Sequence, residues 1–102
     1  MPVVLYQKMP PSTTIEMIEA VTDEMDARAL PPNGLIVHTT VEIGGRITII
    51  DVWESQDDYE KFADSRLGPA FAAVADRMGI DLAQAGEPET QLLEVLSIVH
   101  GE

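Results

Sequence analysis

Two adjacent apolar segments of the chain carry three side chains whose types could do chemistry together: His38, Asp51 and Trp53. A carboxylate beside an imidazole raises the imidazole pKa and holds the ring in one tautomer, which leaves the second ring nitrogen free to exchange a proton. An indole next to such a pair could form a wall that excludes water. We therefore predict that His38 and Asp51 are catalytic, with His38 as the base and Asp51 as its orienting partner.

A structural interpretation of the same residues is the alternative. The histidine and the aspartate could be a buried polar pair that satisfies its own hydrogen bonds, since structural ion pairs also perturb pKa values. The histidine could also bond to backbone at a strand edge. Trp53 could be a core side chain, because an indole buries a large area.

The glycine pair at 44–45 sets the expected pairing of these segments. Two consecutive glycines between apolar runs are typical of a two-residue hairpin turn, in which both central residues need positive φ. With that turn, His38 lies directly opposite Asp51, Ile36 lies opposite Trp53, and all four share one face of the sheet. A longer loop with a bulge would shift this register and separate the pair.

Strand and helix signals alternate along the chain in the order β-α-β-β-α-β. Runs of β-forming residues predict strands, and apolar residues at helical spacing predict helices. The predicted strands cover residues 2–8, 35–42, 46–54 and 91–99, and the predicted helices cover 13–29, 56–67 and 69–78. This order is typical of the α+β ferredoxin-like fold, a four-stranded antiparallel sheet with its helices on one face. We predict one such domain over residues 1–102.

Helix-end signals support these assignments. Thr13 and Glu16 have the spacing of a capping box, Ser55 is a typical N-cap residue, and Gly79 is a typical C-terminal stop. The Gly-Pro pair at 68–69 predicts an interruption between the second and third helices. Acidic residues along one side of the first helix predict a solvent-exposed face: Glu16, Glu19, Asp23, Glu24 and Asp26.

The composition excludes several classes of chemistry. The chain has no cysteine, so disulfides, thiolate nucleophiles, cysteine zinc sites and iron-sulfur clusters are excluded together. Six basic against eighteen acidic residues give a formal charge of −12, which would repel a nucleic-acid backbone or an anionic membrane. There is no apolar run of the roughly 20 residues that span a bilayer, and no basic region leads into a long apolar segment at the N-terminus. We expect no nucleic-acid or membrane partner and a cytoplasmic location.

Alternation along the predicted hairpin places apolar side chains on both faces of the sheet. One face carries the histidine, the aspartate and the indole. The other is almost purely aliphatic and threonine: Leu35, Val37, Thr39, Val41, Thr48, Ile50 and Val52. Two or three short helices can cover only one face, and the other would be left as a large exposed apolar patch. We therefore predict a homodimer in which the two sheets pack together.

The segment DVWESQDDYEKFADSRLGPAF, residues 51–71, resembles the dimeric α/β-barrel superfamily. That superfamily holds the antibiotic-biosynthesis monooxygenase-like proteins, the stress-responsive barrel proteins and the haem-degrading monooxygenases. The resemblance covers nearly the whole chain through the first strand and helix, the hairpin, the VWES strand end and the acidic-aromatic helix. It implies that two ferredoxin-like subunits join their sheets into a barrel and that each keeps a ligand pocket between sheet and helices.

The resemblance implies one of two activities, haem degradation or cofactor-free oxygenation. Haem-degrading members have a tryptophan at the position of Trp53 and a haem-ligating histidine on the next helix, yet residues 56–79 contain no histidine. Cofactor-free members deprotonate a phenolic or anthrone-like substrate whose carbanion reacts with oxygen. We expect the second chemistry, with no cofactor and no metal. The predicted substrate-binding residues are Trp53, Ile36, Tyr59, Phe62, Phe71 and Tyr6.

Two other functions fit the same residues. The first is a non-catalytic barrel that binds a small apolar ligand in the same pocket. The second is a metal site formed by His38, Asp51 and a further carboxylate, although the sequence shows no specific ligand spacing for it.

Overall fold

The computed structural model describes residues 1–101, and its elements follow the predicted order. They are β1 (Val3–Lys8), α1 (Ile15–Met25), β2 (Leu35–Ile43), β3 (Arg46–Trp53), α2 (Gln56–Phe62), a π-helical turn (Ala63–Leu67), α3 (Gly68–Met78), α4 (Leu82–Ala85) and β4 (Glu89–Glu94). The four strands form one antiparallel sheet in the order β2-β3-β1-β4. The prediction of an α+β ferredoxin-like fold is confirmed.

The hairpin between β2 and β3 has the predicted turn. Gly44 and Gly45 both have positive φ, 59° and 79°, as a type I′ turn requires. Ile43 consequently pairs with Arg46, and the register continues along the hairpin to the pairing of His38 with Asp51. The predicted opposition of the histidine and the aspartate is confirmed.

The register changes near the far end of the hairpin. A β-bulge lies between Leu35 and Val37, so Leu35 rather than Ile36 pairs with Trp53. A bulge adds one residue to one strand, which moves every residue beyond it to the other face. The prediction that Ile36 lies opposite Trp53 is therefore wrong, and Leu35 packs against the core in its place.

Alternation along β1 divides its side chains between the two faces of the sheet. Val3 and Leu5 pair with Trp53 and Asp51 of β3 and are buried on the helix side. Tyr6 pairs with Ile50 and therefore lies on the opposite face, called the outer face below.

Helix α1 begins one residue later than a capping box at Thr13 would give. Thr14 is the N-cap residue: its Oγ1 accepts a hydrogen bond from the Met17 amide at 3.3 Å, and the Met17 Sδ accepts one from the Thr14 amide at 3.4 Å. The amide of Thr13 instead donates to Pro10 in the preceding turn. The helix ends at Met25 because Asp26 adopts the left-handed conformation.

The predicted interruption at residues 68–69 is wrong, because the backbone stays helical there. The Gly68 amide donates to the carbonyl of Ala63, five residues back, which makes the turn π-helical. A wider turn of this kind accommodates Pro69, which has no amide hydrogen and whose ring would clash in a regular α-helical turn. Ser55 caps α2 and Gly79 ends α3 with φ 69°, both as predicted.

The last strand is shorter than the predicted 91–99. Strand β4 covers Glu89–Glu94, and it follows a single helical turn, α4, in a stretch with no predicted element. The apolar residues after it are not covered, with Leu96 90% and Val99 92% exposed. The outer face of the sheet also exposes large apolar side chains on its two edge strands, among them Val37 and Leu93. No helix among residues 1–101 has the length and apolar character needed to cross a membrane.

Candidate functional site

A cavity of about 490 Å³ lies between the sheet and the helices. Its wall is mainly apolar, with Leu5 and Ile49 from the sheet and Ile18, Val21 and Phe71 from the helices. The volume lies within the range of roughly 300–1,000 Å³ that is usual for small-molecule sites. A few polar side chains also line the cavity, and His38 and Asp51 are among them.

His38 and Asp51 are hydrogen-bonded within this cavity. The Nδ1 atom of His38 lies 2.7 Å from Oδ1 of Asp51. An ionised carboxylate can only accept, so Nδ1 carries the hydrogen and donates it. Nε2 has only a long contact, 3.4 Å from the hydroxyl of Thr40. The histidine side chain is 40% exposed, so Nε2 is the ring nitrogen left for a ligand.

Asp51 is held at both of its oxygens. Its second oxygen, Oδ2, accepts a hydrogen bond from the indole Nε1 of Trp53 at 3.3 Å. The residue is only 4% exposed, and a buried carboxylate without partners would be strongly destabilising. With two donors from His38 and Trp53, the carboxylate is fixed in place and orients the imidazole.

The pair changes the proton affinity of the imidazole. The hydrogen bond to Asp51 raises the pKa of His38 above its ordinary value of 6.5, against the smaller lowering effect of burial. A raised pKa makes the neutral ring a stronger base, but it also keeps the ring protonated over more of the neutral pH range. The fraction of His38 that is neutral, and so able to accept a proton, therefore increases as pH rises through its folded-state pKa.

The same shift makes stability depend on pH. Because the folded pKa of His38 is raised, its contribution to stability is fully present below the unfolded value of 6.5 and is lost as pH rises through the folded value. We expect the free energy of unfolding, from urea titrations between about pH 5 and about pH 9, to fall across that window. The His38→Gln variant should have a flatter profile. A histidine NMR titration that gives His38 a midpoint below 6.5 would contradict this prediction.

Aromatic side chains form one wall of the site. The rings of Trp53 and Tyr59 meet edge to face with centroids 5.6 Å apart, and those of Trp53 and Phe62 are 5.2 Å apart. Burial raises the pKa of Tyr59, and the charge of Asp51 adds to that effect. Tyr59 is therefore a neutral phenol near the histidine pair.

The structure brings together most of the predicted site residues. His38, Asp51, Trp53, Tyr59, Phe62 and Phe71 all line the cavity. Ile36 and Tyr6 do not: the bulge in β2 puts Leu35 at the position predicted for Ile36, and strand alternation places Tyr6 on the outer face. Those two placements are wrong.

Five polar residues of the cavity were absent from the predicted site: Gln7, Glu19, Thr22, Arg28 and Thr40. Gln7 lies on the same face of β1 as Val3 and Leu5, but alternation alone does not say which face of the strand meets the helices. Glu19 was assigned to the solvent-exposed face of α1, but it lies where that face meets the cavity. Arg28 falls within the helix predicted over residues 13–29, but α1 ends at Met25 and Arg28 follows it.

A metal site has no support in the described part of the chain. Among residues 1–101, no group of three or more histidine, aspartate or glutamate side chains is arranged to bind a metal ion. His38 and Asp51 have no third ligand candidate within that range.

Comparisons with known proteins identify the fold. No protein-family model matches the chain, and no curated protein matches it. Solved structures do match. The Rv0793 protein of Mycobacterium tuberculosis has a TM-score of 0.64 at 15% identity, covering 98% of this chain and 100% of its own. SnoaB of Streptomyces nogalater, a cofactor-independent oxygenase solved as the N63A mutant, has a TM-score of 0.62 at 17% identity, covering 96% of both chains.

A proposed antibiotic biosynthesis monooxygenase from Caulobacter crescentus also matches, with a TM-score of 0.59 at 18% identity, covering 94% of this chain and 89% of its own. At these identities the likeness concerns the fold. It extends over nearly the full length of each protein, including the strands and helices that enclose the cavity. The chain therefore has the ferredoxin-like fold that these solved structures share.

Proposed function

We propose that this protein is a homodimeric, cofactor-independent monooxygenase that acts on an aromatic or polyketide-type small molecule. The observation that carries the proposal is the 2.7 Å hydrogen bond between His38 and Asp51 at the edge of a mainly apolar cavity. It combines an oriented base with a mainly apolar space. The catalytic roles of both residues are part of the proposal.

The chemistry needs no bound group if the substrate itself supplies the electrons. Nε2 of His38 removes a proton from an activated CH₂ group, as in an anthrone ring. The carbanion passes its electrons to O₂, a carbon–oxygen bond forms, and the imidazolium of His38 returns its proton to the peroxide oxygen to give a hydroperoxide. Loss of the second C–H proton with cleavage of the O–O bond then releases water and leaves a carbonyl. One oxygen atom ends in the product and one in water, so the reaction is balanced without an external reductant.

The surroundings of the pair fit these steps. Asp51 stabilises the imidazolium that forms when His38 accepts the proton, because its charge is fixed by two hydrogen bonds. The apolar wall around Trp53 and Phe71 suits a planar ring system and keeps water from the carbanion. The named activity of SnoaB, cofactor-independent oxygenation, is consistent with this chemistry in the same fold.

Oxygen uptake tests the proposal. We expect the purified protein to accelerate O₂ consumption by a hydroxylated anthrone, with formation of the matching quinone and no added metal or flavin. The rate should rise with pH through the pKa of His38. The alternative is a non-catalytic binding protein: an anthrone that quenches the fluorescence of Trp53 without any accelerated oxygen uptake would support that function and contradict ours.

The dimer is proposed from the outer face of the sheet. Val37 and Leu93 are exposed there. A second copy packed on this face would remove both side chains from water. We expect sedimentation equilibrium to give the mass of two chains. Val37→Glu should shift the protein toward monomer, whereas Leu30→Glu, an equally apolar exposed position away from the sheet, should not. A monomeric wild-type protein would contradict the dimer.

A further inference from the structure

Four charged side chains line the cavity: Glu19, Arg28, His38 and Asp51. Arg28 is the one permanently cationic group among the cavity-lining residues. It follows α1, and Glu19 lies on α1 itself, so both belong to the same rim. Their side chains are 65% and 48% exposed, which places them at the entrance rather than at the floor. A ligand that approaches His38 from solvent passes these two charges.

The guanidinium of Arg28 is already occupied. Its Nη2 donates to Glu19 at 2.6 Å, and its Nη1 donates to Asp23 at 3.2 Å. Two carboxylates therefore surround one cation at the rim. An incoming carboxylate would meet the negative charge of both groups at the guanidinium, and it would compete with Glu19 for Nη2.

The remaining charges of the cavity are also paired. Asp51 is bound by His38 and Trp53 and has no oxygen left without a donor. A cationic ligand would find no free carboxylate in the cavity and would meet Arg28 at the rim. An anionic ligand would meet Asp51 and Glu19 within a chain whose formal charge is −12.

We propose that the cavity selects uncharged ring compounds and that Glu19 enforces this selection by occupying Arg28. The inference rests on the proposed function and narrows its substrate class to neutral aromatic compounds that carry hydroxyl or keto groups rather than carboxylates. The rim is coupled to the site, since the charge of Glu19 raises the pKa of His38 and that of Arg28 lowers it. Selection at the rim therefore acts beside the group that would take the proton.

Two unreactive ligands of equal size test the selection: 2-(hydroxymethyl)anthraquinone and anthraquinone-2-carboxylate. Both can be followed by quenching of Trp53, the single tryptophan, which lines the cavity. In the wild-type protein we expect the alcohol to bind at least about tenfold more tightly than the carboxylate. Glu19→Gln removes the negative charge beside Arg28 and leaves a weaker, neutral acceptor for Nη2, so it should strengthen carboxylate binding by about tenfold with little change for the alcohol.

Two variants separate the local effect from a general loss of negative charge. Glu16→Gln removes the same charge from the same helix at a position that does not line the cavity, and it should leave the ratio of affinities unchanged. The double variant Glu19→Gln with Arg28→Gln should lose the gain in carboxylate binding. Glu19 is exposed, so its replacement should leave the fold intact, which the melting temperature checks.

The possible results test the selection of uncharged ligands separately from the proposed oxygenase function. Equal binding of both ligands by the wild-type protein overturns the selection and leaves the proposed oxygenase chemistry unaffected. A gain in carboxylate affinity for Glu16→Gln as large as that for Glu19→Gln also overturns it. Failure of both ligands to bind overturns the selection together with the proposed aromatic substrate.

Discussion

Replacing His38 with alanine is expected to reduce the rate of oxygen uptake by about 10²–10⁴-fold, the contribution usual for a positioned general base. The variant loses the only ring nitrogen that can accept the substrate proton next to Asp51. The variant also leaves Oδ1 of the buried Asp51 without its donor, so the melting temperature is measured beside the rate to show that the variant is folded. Oxygen-electrode rates at saturating anthrone measure the effect, and quenching of Trp53 reports whether the ligand still binds.

Asp51→Asn provides the matched comparison. The asparagine oxygen can still accept from Nδ1 of His38, but the negative charge is gone, so the imidazole pKa should fall. We expect the midpoint of the pH–rate profile to move to lower pH in this variant, a shift that a merely structural role would not produce. If His38→Ala keeps the wild-type rate, the histidine is not the base and the mechanism is wrong.

Trp53→Ala is expected to lower the free energy of unfolding by about 3–5 kcal/mol, the usual range for truncating a buried aromatic side chain. The indole is only 1% exposed, and it packs against both Tyr59 and Phe62. Its loss leaves a void between the sheet and α2 and removes a donor from Asp51. Urea titration at constant pH measures the change.

Trp53→Phe separates the contribution of the apolar packing of the indole from that of its hydrogen bond to Asp51. It restores most of the apolar contact but leaves Oδ2 of Asp51 without its indole donor, for which we expect a loss of about 1–3 kcal/mol. Leu30→Ala is the control, since an exposed side chain away from the sheet should matter by no more than about 0.5 kcal/mol. A loss below about 1 kcal/mol for Trp53→Ala would contradict the central packing role of the indole.

The hairpin illustrates how far sequence interpretation reaches. Two glycines determine the turn because few other residues adopt positive φ, and the turn then determines the pairing of His38 with Asp51. The pairing with Trp53 could not be predicted in the same way, because the bulge at Ile36 has no signature in the residues around it. A bulge forms where the strand must bend to meet its neighbours, and that depends on the packed sheet.

Strand β1 shows a second limit. Apart from Lys8 at its end, its residues are apolar or neutral on both faces, so the alternation from Val3 to Gln7 does not say which face meets the helices. That choice was made by packing: Leu5 joins Trp53 in the buried core, and Tyr6 therefore lies on the outer face.

The sequence by itself determined the order of elements, the hairpin turn and the His38–Asp51 register, because each depends on local backbone preferences or on residues close together in the chain. Only the tertiary structure decided that Glu19 and Arg28 stand at the entrance of the same cavity. Helical periodicity marks Glu19 as polar and solvent-facing, but it does not say where that face ends against the sheet. The contact of α1 with the strands sets that boundary, since burial of Ile18 and Val21 fixes the rotation of the helix.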